Sequence, residues 1–89
     1  MTEAQQVVLS GDEQNTQRIR AIRMSNRLSI AQIRLKRADR FSESLEIEMK
    51  EINTSIFSLS DSLLLGEDVR SNLDIIDDRV AEFEHRVLV

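Results

Sequence analysis

From Ala21 to Gly66 one residue in every three or four is small or apolar, and the phase of that stripe never slips. Positions seven apart read Ala21, Leu28, Leu35, Ser42, Met49, Ile56 and Leu63; the interleaved set reads Met24, Ala31, Ala38, Leu45, Ile52, Leu59 and Gly66. A repeat averaging 3.5 residues keeps one stripe of a long helix facing a neighbour, and supercoiling takes up the mismatch with 3.6. The pattern predicts an all-α protein: a long amphipathic coiled-coil helix that assembles into a multi-helix bundle.

Composition supports helices and leaves little else. The 89 residues include no Pro, Trp, Tyr or Cys, two Gly, and three aromatic residues, Phe41, Phe57 and Phe83. Little interrupts a helix in such a chain, and few large side chains are present to fill a globular core. A domain this small buries a modest share of its surface alone, and no disulfide supplements it. The expectation is that core comes from partner helices, three or more in all, from identical or different chains.

The chain divides into a polar tail over residues 1–10, expected to fray, and one helical domain over 11–88. Within the tail Val7, Val8 and Leu9 form the only apolar cluster. Ser10 and Glu13 have the spacing of a capping box, which places a helix start near Gly11 to Asn15, with Asp12 and Glu13 at the favourable end of its dipole. After Leu63-Leu64-Leu65-Gly66 a rotated stripe follows at Val69, Leu73, Ile76, Val80, Phe83 and Val87. Either the helix runs through Gly66, at about 1 kcal/mol, or Gly66 caps it and residues 71–88 fold back as a short helix. The absence of proline or a second glycine between Glu67 and Arg70 favours continuity, and Ser71 with Asp74 resembles a fresh capping box. No repeat other than the heptad is evident.

Two further features concern partners. Turning the chain by about 100° per residue gathers Ile19, Ile22, Ile30 and Ile33 opposite Met24, Leu28, Ala31 and Leu35, so the first helix has a second apolar face and needs a second neighbour. Charge is also divided. Eight basic residues and one acid, Asp39, lie between Arg18 and Arg40, whereas twelve acids and four bases follow from Phe41 onward. Antiparallel pairing of such halves is electrostatically natural. Arg20, Arg23, Arg27 and Arg34 form the basic stripe expected to select the partner, and Glu46, Glu48, Glu51 and Asp77-Asp78 read as solvated faces. The expected interface is the seam itself: Leu28, Leu35, Leu45, Met49, Ile52, Ile56, Leu59, Leu63, Leu73, Ile76, Val80 and Phe83.

These observations point to a non-enzymatic interaction module, a coiled-coil subunit, adaptor or small chaperone. No catalytic, cofactor-binding or metal-binding residues are expected. Glu82 and His85 have the spacing of a di-metal bundle ligand pair, but a single histidine leaves such a site incomplete. Neither a nucleophile elbow nor a phosphate loop occurs. An alternative is a nucleic-acid-binding helical dimer using the basic stripe from Arg18 to Arg40, although no aromatic side chain interleaves it. The stretch Leu73-Asp74-Ile75-Ile76-Asp77-Asp78-Arg79-Val80 loosely resembles the end of a SNARE motif, without a glutamine at the central layer, and small subunits of vesicle-tethering complexes are similar to the same degree. That resemblance implies a helical bundle shared with partner chains. The N-terminal residues carry neither the basic region nor the apolar run of a secretory signal, and no stretch is long enough to span a membrane, which predicts a cytoplasmic protein.

Overall fold

The computed structural model describes residues 10–88, which form three helices: α1 Gly11–Arg37, α2 Glu43–Leu64 and α3 Arg70–Leu88. The expected tail, with Val7 to Leu9, lies outside the described residues apart from Ser10. Ser10 caps α1 as the sequence suggests, its hydroxyl accepting a hydrogen bond from the Glu13 amide at 3.1 Å. The helices run up, down and up, and each touches the other two.

The unbroken helix expected from Ala21 to Gly66 is not what forms. The chain turns back after Arg37, and Ala38 and Ser42, expected in the seam, are exposed. Ser42 instead caps α2, accepting from the Leu45 amide at 3.3 Å. The phase survives the turn for a simple reason. Each helix offers core positions spaced 4-3-4-3-4: Gln17, Ala21, Met24, Leu28, Ala31 and Leu35; Leu45, Met49, Ile52, Ile56, Leu59 and Leu63; Val69, Leu73, Ile76, Val80, Phe83 and Val87. The first two sets lie four whole heptads apart, so a reversal of direction leaves no mark in the repeat. Between Leu63 and Val69 the repeat does slip, and there too the chain reverses.

Both reversals use the same device. At the end of α1 the Asp39 amide donates to the Lys36 carbonyl at 3.1 Å and the Arg40 amide to Leu35 at 2.8 Å. At the end of α2 the Gly66 amide donates to Leu63 at 2.9 Å and the Glu67 amide to Ser62 at 3.1 Å. These are paired Schellman bonds, which satisfy carbonyls that the helix leaves free and demand a left-handed residue after the cap. Gly66 meets that demand with φ 85°, and Asp39 meets it with φ 57°. Continuity through Gly66, favoured from the sequence, is therefore corrected. Glycine takes the left-handed region without strain and ends α2 there.

The core is self-contained. Sixteen apolar side chains from all three helices are buried together, with Phe41 and Leu45 packed against them. The expectation that this chain must borrow its core from partner chains is thus corrected, because folding into three helices gives each stripe two neighbours. Phe83 on α3 is the largest fully buried side chain, and α1 contributes the two small core residues, Ala21 and Ala31.

One polar side chain belongs to this interior. Gln17 is buried on α1; its Oε1 accepts from the Val69 amide at 3.0 Å and its Nε2 donates to Asp68 Oδ1 at 3.0 Å. Three residues earlier, Gln14 Nε2 donates to the Leu63 carbonyl at 2.6 Å. Two glutamines of α1 therefore satisfy the end of α2 and the start of α3. The capping box expected at Ser71 and Asp74 does not form. Asp68 takes that role, accepting from the Arg70 amide at 3.1 Å and from its guanidinium.

Because only glycine is at ease at a left-handed position, the two turns should respond with opposite signs. Space is open around the Gly66 Cα, so Gly66→Ala tests backbone strain alone and is expected to cost about 1–2 kcal/mol. Asp39→Gly should instead raise the thermal midpoint by about 2–4 °C. Thermal denaturation followed by circular dichroism measures both, and a stabilising Gly66→Ala would show that the turn is misassigned.

The Asp68 carboxyl is held down to about 2, first by the Arg70 side chain, then by the Arg70 amide and the Gln17 amide. A depressed carboxyl contributes stability that is fully present above the ordinary value near 4 and is lost as pH falls through about 2. Carbon-detected NMR titration should place Asp68 at about 2, below the ordinary aspartate value. Arg70→Ala should move it upward, and an Asp68 already titrating near 3.8 in the unaltered protein would refute the pairing.

Candidate protein-binding face

The basic stripe of α1 resolves into two classes of arginine. Arg20 Nη2 lies 2.9 Å from Asp74 Oδ1 and 3.5 Å from Asp77 Oδ2. Arg27 Nη1 lies 2.7 Å from Asp77 Oδ1, and its Nη2 lies 2.5 Å from Glu84 Oε1. Hydrogen bonding to Glu84, opposed by burial and reinforced by Asp77, holds the Arg27 guanidinium well above its ordinary value. Arg23 and Arg34 are exposed, and among the described residues neither lies within ion-pair distance of a carboxylate.

The acids of the second half do meet the bases of the first, but in a different geometry from the one expected. The pairs join α1 to α3, and these two helices run parallel within one chain. Antiparallel order applies between α2 and α3, where Arg86 pairs with Glu48 and draws its carboxyl below the ordinary value. Asp77 and Glu48, read from the sequence as solvated, are thus both engaged in ion pairs.

The twelve residues expected at an interface pack inside the bundle, eleven of them buried and Leu45 partly so. The second apolar face is different. Ile19, Ile22, Ile30 and Ile33 stay 40%, 53%, 50% and 51% exposed, on the side of α1 directly away from the core. Neither of the other two described helices covers them. Arg18 and Arg37 join Arg23 and Arg34 around them, all four exposed.

This face contains a repeat that the heptad conceals. Ile19-Arg20-Ala21-Ile22-Arg23 and Ile30-Ala31-Gln32-Ile33-Arg34 share the pattern Ile-x-x-Ile-Arg at an interval of eleven residues. Three helical turns take 10.8 residues, so the units lie almost in line, about 16 Å apart along the axis. Searching at a period of eleven would have found it. Gln14 and Gln17 also escaped the sequence reading, although Gln17 falls seven residues before Met24, in phase with the seam.

Other surfaces offer less. An open groove of about 440 Å³ between α2 and α3 is lined by Thr54, Ser55, Ser58, Asn72 and Arg79 beside Leu59, Ile75 and Ile76. Its polar groups can hydrogen-bond, but no carboxylate, thiol or imidazole lines it. Glu82 and His85 are exposed on α3, and no group of three potential metal ligands comes together among the described residues. No described helix is long and apolar enough to cross a membrane. Comparison with protein-family models, curated proteins and solved structures finds no match to this chain.

The division among the arginines is measurable. Arg27→Ala removes one partner from a half-exposed network and is expected to cost about 1 kcal/mol after solvent screening. Arg23→Ala should stay within about 0.5 kcal/mol of the unaltered protein. Equal losses in urea denaturation would contradict the assignment.

Proposed function

We propose that this chain is a non-enzymatic protein–protein interaction module, a subunit or adaptor that presents the outward face of α1 to a helix of another protein. The observation that carries the reading is the row of four half-exposed isoleucines on a helix whose opposite side is fully buried. Scattered single apolar residues are ordinary on a surface, whereas two apolar pairs aligned on one helix face and bordered by charge mark a contact site. Helix-in-groove and helix-on-helix recognition use anchors three and four residues apart, as Ile19 with Ile22 and Ile30 with Ile33 are placed.

The nucleic-acid reading draws less support. Arg20 and Arg27 are already neutralised by Asp74, Asp77 and Glu84, so two of the eight basic residues between Arg18 and Arg40 are not available to phosphates. Acidic side chains also stand beside them, where a polyanion would be repelled.

Replacing Ile30 with a photo-crosslinking residue, and Glu82 on α3 as a control, tests the proposal in extracts of cells that make the protein. A partner joined from position 30 and not from 82 should, once purified, bind the unaltered chain. Its affinity should fall by roughly 100-fold or more for Ile22→Asp/Ile33→Asp, since two apolar anchors are lost. Helicity of the double variant should match the unaltered protein, because both positions are solvent-facing. Equal binding by the double variant would remove the face from any role in association.

A further inference from the structure

We infer that the partner element is an acidic amphipathic helix lying nearly parallel or antiparallel to α1, with its apolar residues in pairs eleven positions apart. This rests on the preceding reading of the α1 face and identifies the chemistry of its occupant.

The interval of eleven carries the geometry. Apolar pairs eleven residues apart on a partner helix recur about every 16 Å and meet both Ile-x-x-Ile units, whereas pairs seven apart recur about every 10 Å and miss the second unit. Two Ile-x-x-Ile units in line over three turns therefore match a second nearly straight helix, with Asn26 and Ser29 between the units leaving a polar gap at the middle. A ridge on the partner fills both ends of the stripe and spans the gap.

Charge carries the chemistry. Arg18, Arg23, Arg34 and Arg37 border the stripe, and among the described residues no carboxylate pairs with them. Docking a neutral or basic helix would crowd or desolvate these cations without compensation, whereas acids flanking the partner's ridge would pair with them. A second copy of this chain is a poorer fit. Two α1 faces would set arginine against arginine. The exposed apolar residues of acidic α2 are Ile47, Phe57 and Leu64, spaced ten and seven residues apart, so they offer neither an i, i+3 pair nor the eleven-residue interval of the α1 face. A bilayer is a poorer fit as well, since the face holds no aromatic side chain and its apolar length is interrupted.

The test uses the whole chain and synthetic helical peptides. One peptide carries Leu-x-x-Leu pairs eleven residues apart flanked by Glu; a second has Lys in place of Glu; a third has the Glu flanks with leucines at heptad spacing. The expected result is one-to-one binding of the first, at least 10-fold tighter than either control, weakening as salt is raised. Arg23→Glu/Arg34→Glu should weaken the first peptide at least 10-fold and strengthen the lysine peptide, with unchanged helicity. Equal binding of the Glu and Lys peptides, or no binding of the first, overturns the inference. Binding of phosphatidylserine vesicles or self-association in sedimentation equilibrium, dependent on Ile22 and Ile33 and without peptide binding, also overturns it. In that case, Ile30 crosslinking to a protein lost with Ile22→Asp/Ile33→Asp would leave the broader interaction reading standing, whereas indifference to that double variant in every assay would sink both.

Discussion

The structure depends on closing three apolar stripes of equal length against one another. No helix here has an aromatic-rich or disulfide-bonded interior of its own, and most helical stability in water comes from packing an apolar face. Each of α1, α2 and α3 supplies six positions at the same spacing, so every level of the bundle receives one side chain from each. Large and small side chains are mixed in this core, Ala21 and Ala31 from α1 being buried in one cluster with Leu73 and Phe83 from α3. The serine-rich α2, with Ser55, Ser58, Ser60 and Ser62, has weak intrinsic helicity and owes its form to this packing.

Electrostatics follows from that closure. Once α1 and α3 lie side by side and parallel, Arg20 and Arg27 face the acids of α3, and the division of charge along the sequence becomes pairing within one molecule. A partly exposed network of this kind adds modestly to stability. Its larger effect is to consume two cations and leave Arg18, Arg23, Arg34 and Arg37 as the charge displayed outward.

Helical class and core composition were legible in the sequence because a sustained 3.5-residue period has one physical meaning, a buried stripe. The first reversal was not, because a turn that spans whole heptads preserves phase and because Ala38-Asp39-Arg40-Phe41-Ser42 contains neither glycine nor proline. Asp39 adopts the left-handed conformation that usually advertises itself as glycine. Gly66 did advertise the second turn, and the slip between Leu63 and Val69 agreed with it. For the outward face, the isoleucines were visible as a second stripe, but their eleven-residue repeat was masked by the stronger seven. Which arginines remained free was not readable, since it depends on α3 lying parallel to α1.

The two ends of the bundle are fastened differently. At the Gly66 end, Gln14 and Gln17 reach from α1 to both neighbouring helices, and Asp68 and Arg70 knit the turn together. At the Asp39 end, Lys36 lies 5.5 Å from the Phe41 ring centroid, and among the described residues the turn has no comparable bonds from α3. The molecule is therefore built like tongs, with its fulcrum among the glutamines and its jaws at the strained turn. The Val69 amide at this fulcrum is held by the Gln17 side chain of α1, so it exchanges with solvent only when α1 itself lets go.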